Sequence, residues 1–157
     1  MIRMVHHLGR IMVMGIISSI LFGCSGERPV NLGVRGGHLT RCPDSPNCVS
    51  SQAADESHRI APLAFSGEPG QAFARLKQTL ARRGDTTIIE ERPGYLRVEF
   101  RTTLFVDDGE FLLDGVQELI QVRSASRLGY SDLGTNRRRL EALRQALVNA
   151  GVVKPTR

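Results

Sequence analysis

Between Arg123 and Arg139 the chain gathers Arg123, Ser124, Ser126, Arg127, Tyr130, Ser131, Asp132, Asn136, Arg137, Arg138 and Arg139, with only two large aliphatics among them, Leu128 and Leu133. Guanidinium forks, hydroxyls and an amide at this density are the donor set for an anion, because an arginine can hold two oxygens of a phosphate, sulfate or carboxylate at once. A helix beginning near Asp132 or Thr135 would add its unpaired first-turn amides and the positive end of its dipole at the same place. The candidate anion-binding residues are therefore Arg123, Ser124, Ser126, Arg127, Ser131, Asp132, Asn136 and Arg137. The same types also fit an internal network. Ser131 or Asp132 then caps the helix, and Arg123 or Arg127 pairs with Asp107, Asp108 or Glu110 on a neighbouring strand.

Asp107, Asp108 and Glu110 are also the carboxylates that general-base or metal chemistry would need. Adjacent residues of a strand face opposite sides, so Asp107 and Asp108 cannot serve one site together. Past residue 24 only His38 and His58 remain as imidazoles, and neither stands near a serine and an acid in a way that suggests a hydrolytic triad. No catalytic residue, cofactor or metal is assigned, and the chain reads as a binding or scaffold module in preference to an enzyme. The alternatives are an anionic-ligand-binding protein or a hydrolase-like enzyme whose site the sequence does not reveal.

The first ten residues carry Arg3 and Arg10 and no acid, and Ile11 to Phe22 is a twelve-residue stretch without charge. That is the charged and then apolar pattern of a secretory leader, too short for the roughly 20 apolar residues of a membrane-spanning helix. Leu21, Phe22, Gly23 and Cys24 resemble the lipobox of bacterial lipoproteins, which implies cleavage before Cys24 and acylation of its sulfur. Ser25 stands where an inner-membrane retention signal would place Asp, favouring the outer membrane. The chain is thus expected to be lipid-anchored on the periplasmic side of the cell envelope, with the membrane as its first partner. An anionic small molecule or an envelope protein is its possible second partner, and nucleic acid is excluded by compartment.

With Cys24 spent on lipid, Cys42 and Cys48 are left as an even pair in an oxidising compartment, around a Pro43-Asp44-Ser45-Pro46-Asn47 turn, and a disulfide is expected. So short a loop gains only about 2 kcal/mol from closure, so the bond shapes a local hook. A zinc site from His38, Cys42, Cys48 and His58 is the rival, and the five-residue cysteine spacing exceeds the roughly two to four usual for structural zinc.

Removing 23 of 157 residues leaves 134, enough for one domain. The net charge of +5 is unevenly spread: residues 24–122 hold 11 basic and 14 acidic side chains, residues 123–157 hold 8 and 2. The electropositive C-terminal part suits an anionic ligand or lipid surface.

The elements that must position these groups follow from periodicity. The Gly-rich stretch 24–41 reads as a flexible tether, and 42–157 as a single globular domain. Pro62 limits His58 to Phe65 to an edge strand or none. Glu68-Pro69 opens a helix whose Ala72, Phe73, Leu76 and Leu80 share a face, and Gly84 stops it. Thr86 to Arg92 and Tyr95 to Thr102 form a hairpin through Pro93-Gly94. Leu96, Val98 and Phe100 alternate with Arg97, Glu99 and Arg101, giving one buried and one wet sheet face. Phe105 to Leu113 and Val116 to Arg123 form a second hairpin through Asp114-Gly115. A last helix from about Leu133 or Asn136 to Ala150 carries Leu140, Leu143 and Leu147 on one stripe. The expected class is α+β: an antiparallel sheet of about four strands with two helices packed on one face.

Taken together, CPDSPNCVSS at Cys42 to Ser51, FVDDGEF at Phe105 to Phe111, and VRSASRLGYSDLGTNRRRLEALRQAL at Val122 to Leu147 resemble the domain of unknown function 1499 family. The resemblance covers roughly Thr40 to Leu147. It implies an exported or membrane-associated protein and supplies no reaction.

Overall fold

The computed structural model describes residues 25–156. The expected leader 1–23 and the acylation site Cys24 lie outside the described residues. Among those described, no helix is long and apolar enough to cross a membrane.

Four strands form the centre of the fold. β5 (Thr86–Arg92) and β6 (Tyr95–Arg101) turn through Pro93-Gly94, with Gly94 in the left-handed conformation that the turn requires. β7 (Val106–Asp114) and β8 (Leu119–Ser126) complete an antiparallel meander. Their connection runs from residue 115 to 118, longer than an Asp-Gly hairpin, and it is held by Gln117 N–H donating to the Asp114 side chain. Two short strands, β3 (Cys48–Ser50) and β4 (Leu63–Ala64), then pair with the outer edge of β8, opposite Arg123 to Ala125 and Leu119 to Ile120. β1 (Val34–Arg35) and β2 (His38–Leu39) make a separate hairpin.

The expectation of a four-stranded sheet under two helices is therefore corrected: the main sheet has six strands, two more stand apart, and the fold is mostly β. Segments of two or three residues are too short to show alternation, and they become strands only because the edge of β8 supplies their hydrogen-bond partners.

Helix α1 (Pro69–Ala81) begins with proline at its first position, and the Glu68 carboxylate accepts the Gln71 N–H at 2.7 Å. Helix α2 spans Thr135–Asn149. Leu76 and Leu80 of α1 and Leu140, Leu143 and Leu147 of α2 share one core with Leu96, Val98, Phe100, Phe111, Ile120 and Val122 from the sheet.

A wet outer sheet face is the second expectation that fails. Arg97, Glu99, Asp108, Glu110 and Arg123 all point away from the apolar core, and all are buried. Register sets Arg97 opposite Glu110, Glu99 opposite Asp108, and Glu110 opposite Arg123, so unlike charges meet across the ladder. What covers them is the stretch read as a tether. Arg28 reaches Glu99 at 2.7 Å, Arg97 donates to the Pro29 carbonyl at 2.8 Å, and the Gly33 N–H donates to Glu110 at 2.8 Å. The Cys42–Cys48 disulfide joins the end of this cover to β3.

Candidate functional site

On the outer face the arginines are consumed by carboxylates. Arg127 donates from Nε to Asp108 Oδ2 at 2.7 Å and from Nη2 to Glu99 Oε1 at 2.6 Å, with its side chain 5% exposed. Hydrogen bonding to Asp108 raises its pKa above the ordinary arginine value, with Glu99 adding to the effect against the opposing cost of burial. Burial alone would raise Glu99, but the hydrogen bonds from Arg127 and Arg28 outweigh it and hold that carboxyl down to about 2. Arg123 pairs with Glu110 at 3.2 Å. Desolvation lowers its pKa in spite of that partner. Glu110 also accepts from the Tyr95 hydroxyl at 2.8 Å, and burial together with the Glu110 charge pushes that phenol upward.

The eight residues proposed for an anion do not converge on one site. Arg123 and Ser124 are neighbours in β8, and a strand sends neighbours to opposite faces; Arg127 follows directly after the strand's last residue, Ser126, and its side chain joins the outer-face carboxylates while Ser126 bonds Asn136. Ser124 donates to the Asn136 side-chain carbonyl within the core layer. Asn136 in turn donates to Asp132 at 2.8 Å, to Ser126 at 3.0 Å and to the Asn47 carbonyl at 3.2 Å. Asp132 takes the role of helix cap from two residues ahead of Gly134, accepting the Gly134 and Asn136 N–H groups at 2.9 and 2.7 Å. Ser131 accepts from Leu133 N–H, and Arg137 donates to the Arg59 and Ser57 carbonyls.

A different arrangement closes the other side of β7. Asp107 is almost fully buried, and its Oδ2 pairs with Arg139 at 2.7 Å. Arg139 is aimed there by stacking 4.8 Å from the centre of the Phe100 ring. Phe100 can occupy that position because Gly109 has no side chain: a Cβ there would collide with the ring. The other carboxylate oxygen, Oδ1, accepts no hydrogen bond from any described residue. Asp107 lines a cleft of about 450 Å³ together with Phe105, Ser126, Leu128, Asp132 and Leu133. Leu104, Phe105, Leu128, Tyr130 and Leu133 stand exposed on the two loops at this end, and Leu133 holds a left-handed φ of 52° while 84% exposed. This group lies outside the polar pattern that stands out in the sequence. Phe105 was expected inside a strand and the two leucines were background to the polar cluster; large apolar residues within loops were the available signal.

A cleft of about 540 Å³ beside the disulfide includes His38, Cys42, Gln52 and His58. There His58 Nδ1 lies 2.7 Å from Asp55 and Nε2 3.1 Å from the Ser45 carbonyl. Cys42 and Cys48 are bonded to each other, so neither offers a thiolate for zinc. With His58 hydrogen-bonded and Cys42 oxidised to a disulfide, neither is free to act in this cleft. Among the described residues no three His, Cys, Asp or Glu side chains are grouped to hold a metal ion.

The family model described as "Protein of unknown function (DUF1499)" matches residues 38–147. No curated protein and no solved structure matches the chain.

Proposed function

The chain belongs to the DUF1499 family, and from that premise we propose that it is a non-enzymatic binding module of the cell envelope, anchored through acyl chains on Cys24 with its apolar loop end turned toward the lipid. One observation carries the orientation. Of the seven large hydrophobic residues exposed among those described, five lie on the loops around Phe105 and Leu128, and Gly26, near the start of the described residues, lies at that same end. Gly26 sits so close that a Cβ on it would stand 2.9 Å from Arg127 Cβ and 3.1 Å from Leu128 Cγ. The two residues from Gly26 back to Cys24 span at most about 7 Å of extended chain. A lipid on Cys24 therefore enters the bilayer beside the exposed leucines, and a contiguous apolar patch next to an anchor is the expected design of a membrane-facing surface. The outer membrane, on its periplasmic side, is the compartment that Ser25 favours. A binding role also accords with the outer-face carboxylates, whose arginine partners hold them as structure.

The chain contains no tryptophan, so Leu133→Trp introduces a single reporter. With the processed full chain in phospholipid vesicles, its emission is expected to shift to the blue and to be quenched by bromine-labelled acyl chains. Emission typical of water, without quenching, refutes the orientation. An unmodified thiol at Cys24 in the mass spectrum of the native protein removes the anchor.

A further inference from the structure

We propose that the apolar loop end selects an anionic phospholipid surface, its exposed arginines meeting headgroup phosphates while Leu104, Phe105, Leu128 and Leu133 enter the hydrocarbon. This rests on the reading of that end as membrane-facing and adds the class of lipid it meets. The observation behind it is an uneven division of charge on the outer face. Glu99 is one carboxylate shared by Arg127 at 2.6 Å, Arg28 at 2.7 Å and Arg101 at 3.0 Å. Asp108 meets Arg127 again, and Arg97. Four guanidiniums thus answer two carboxylates. The surplus emerges at the surface, where the Arg28 and Arg101 side chains are 53% and 55% exposed. Both flank the apolar loops. Arg101 directly precedes the turn from Thr102 to Phe105 that holds out Leu104 and Phe105, and Arg28 is two residues past Gly26, which lies against Leu128.

Two further exposed arginines stand at this end. Arg138 donates to the Leu133 carbonyl at 2.6 Å. Arg82 lies on the connection from α1 to β5, whose Asp85 carbonyl accepts the Arg101 N–H at 2.7 Å. The nearby acids are mostly spent: Asp85 pairs with Arg83, Asp132 caps α2, and Asp44 in the disulfide loop is matched in number by Arg41. Glu27 remains as an exposed countercharge. At the opposite end of the sheet the balance is reversed. There Glu68, Glu90, Glu91, Asp114 and Glu118 outnumber Lys77, Arg92 and Lys154, and among the described residues Val116 is the one large hydrophobic exposed. Cations alone suit any polyanion. With apolar side chains between them, the matching surface is a bilayer with negative headgroups, where a guanidinium sits at the phosphates and its alkyl stem reaches toward the hydrocarbon.

The test uses the processed, acylated full chain carrying Leu133→Trp, in vesicles where phosphatidylglycerol is the minor component beside phosphatidylcholine. Bromine is placed on the acyl chains of one lipid or of the other. Quenching by the brominated phosphatidylglycerol is expected to correspond to about threefold or more its bulk share, because basic residues held at a membrane gather anionic lipid. In about 1 M salt, where the Debye length shrinks to about 3 Å, it should fall to the bulk share. Arg28→Gln together with Arg101→Gln should remove most of the enrichment, and if that variant melts early the salt series decides the matter on the native arginines. Quenching in proportion to bulk share at low salt overturns the proposal and leaves the orientation standing. Enrichment that survives high salt overturns it as well, since these charges then do not cause it. Quenching by neither lipid, the result if the apolar end meets a protein or a second copy, overturns both.

Discussion

Asp107 and Asp108 are adjacent in one strand and end in opposite circumstances. Asp108 faces outward, where Arg97 and Arg127 occupy both its oxygens at 2.7–3.1 Å and the segment from Arg28 to Cys42 closes over the layer. Asp107 faces the core side, where one oxygen meets Arg139 and the other is buried without a hydrogen-bond partner among the described residues. The difference lies in the supply of donors and in the cover, since residue type and burial are nearly the same. Where several arginines converge on the carboxylates and a segment excludes water, charge becomes architecture, although Arg97 Nε and Arg123 Nε are left there without acceptors. Where a single arginine serves the carboxylate, one oxygen is left buried without a donor.

Arg127→Ala should give the largest effect, about 3–5 kcal/mol of lost stability in denaturant unfolding, because it strands two buried carboxylates without their shared cation. A loss below about 1 kcal/mol would place this pair with ordinary surface ion pairs and erase the contrast between the faces. Acid titration probes the same layer. Glu99 is depressed from an ordinary 4.5 to about 2, so its contribution is complete above 4.5 and is lost as pH falls from there through 2. Thermal melts across that window should fall more steeply for the native chain than for Glu99→Gln, and parallel curves would contradict the ion-pair account.

Replacing Cys42 and Cys48 together by alanine should cost about 2 kcal/mol, and hydrogen exchange should show the extra opening in residues 28–42. Uniform exchange would mean that the cover does not depend on the hook. The smallest change has the opposite sign. Leu133→Gly relieves the left-handed backbone and should raise stability in denaturant unfolding by about 0.5–1 kcal/mol. Unchanged or lower stability would show that no strain is stored at this position.

Much of the local structure was legible in the chain. Pro69 with the Leu76 and Leu80 stripe marked α1, Pro93-Gly94 marked a turn, and the count and setting of Cys42 and Cys48 marked their bond. The six-stranded sheet was not legible, since β3 and β4 offer two or three residues each and acquire meaning only against β8. The polar cluster misled for a related reason. Ser124 and Arg123 are neighbours along the chain, and the pleat of β8 sends them to opposite faces of the sheet.

What the chain determined by itself was short-range: the caps and turns, the apolar stripes, the cysteine pairing, and the alternation that gives β6 one charged face. Whether that charged face met water or protein, and which aspartate kept an oxygen to spare, was decided only when segments far apart in the chain met. Donor supply and solvent exclusion are sums over neighbours in space, and neighbours such as Pro29 for Arg97 or Asn47 for Asn136 are 68 and 89 residues away in sequence.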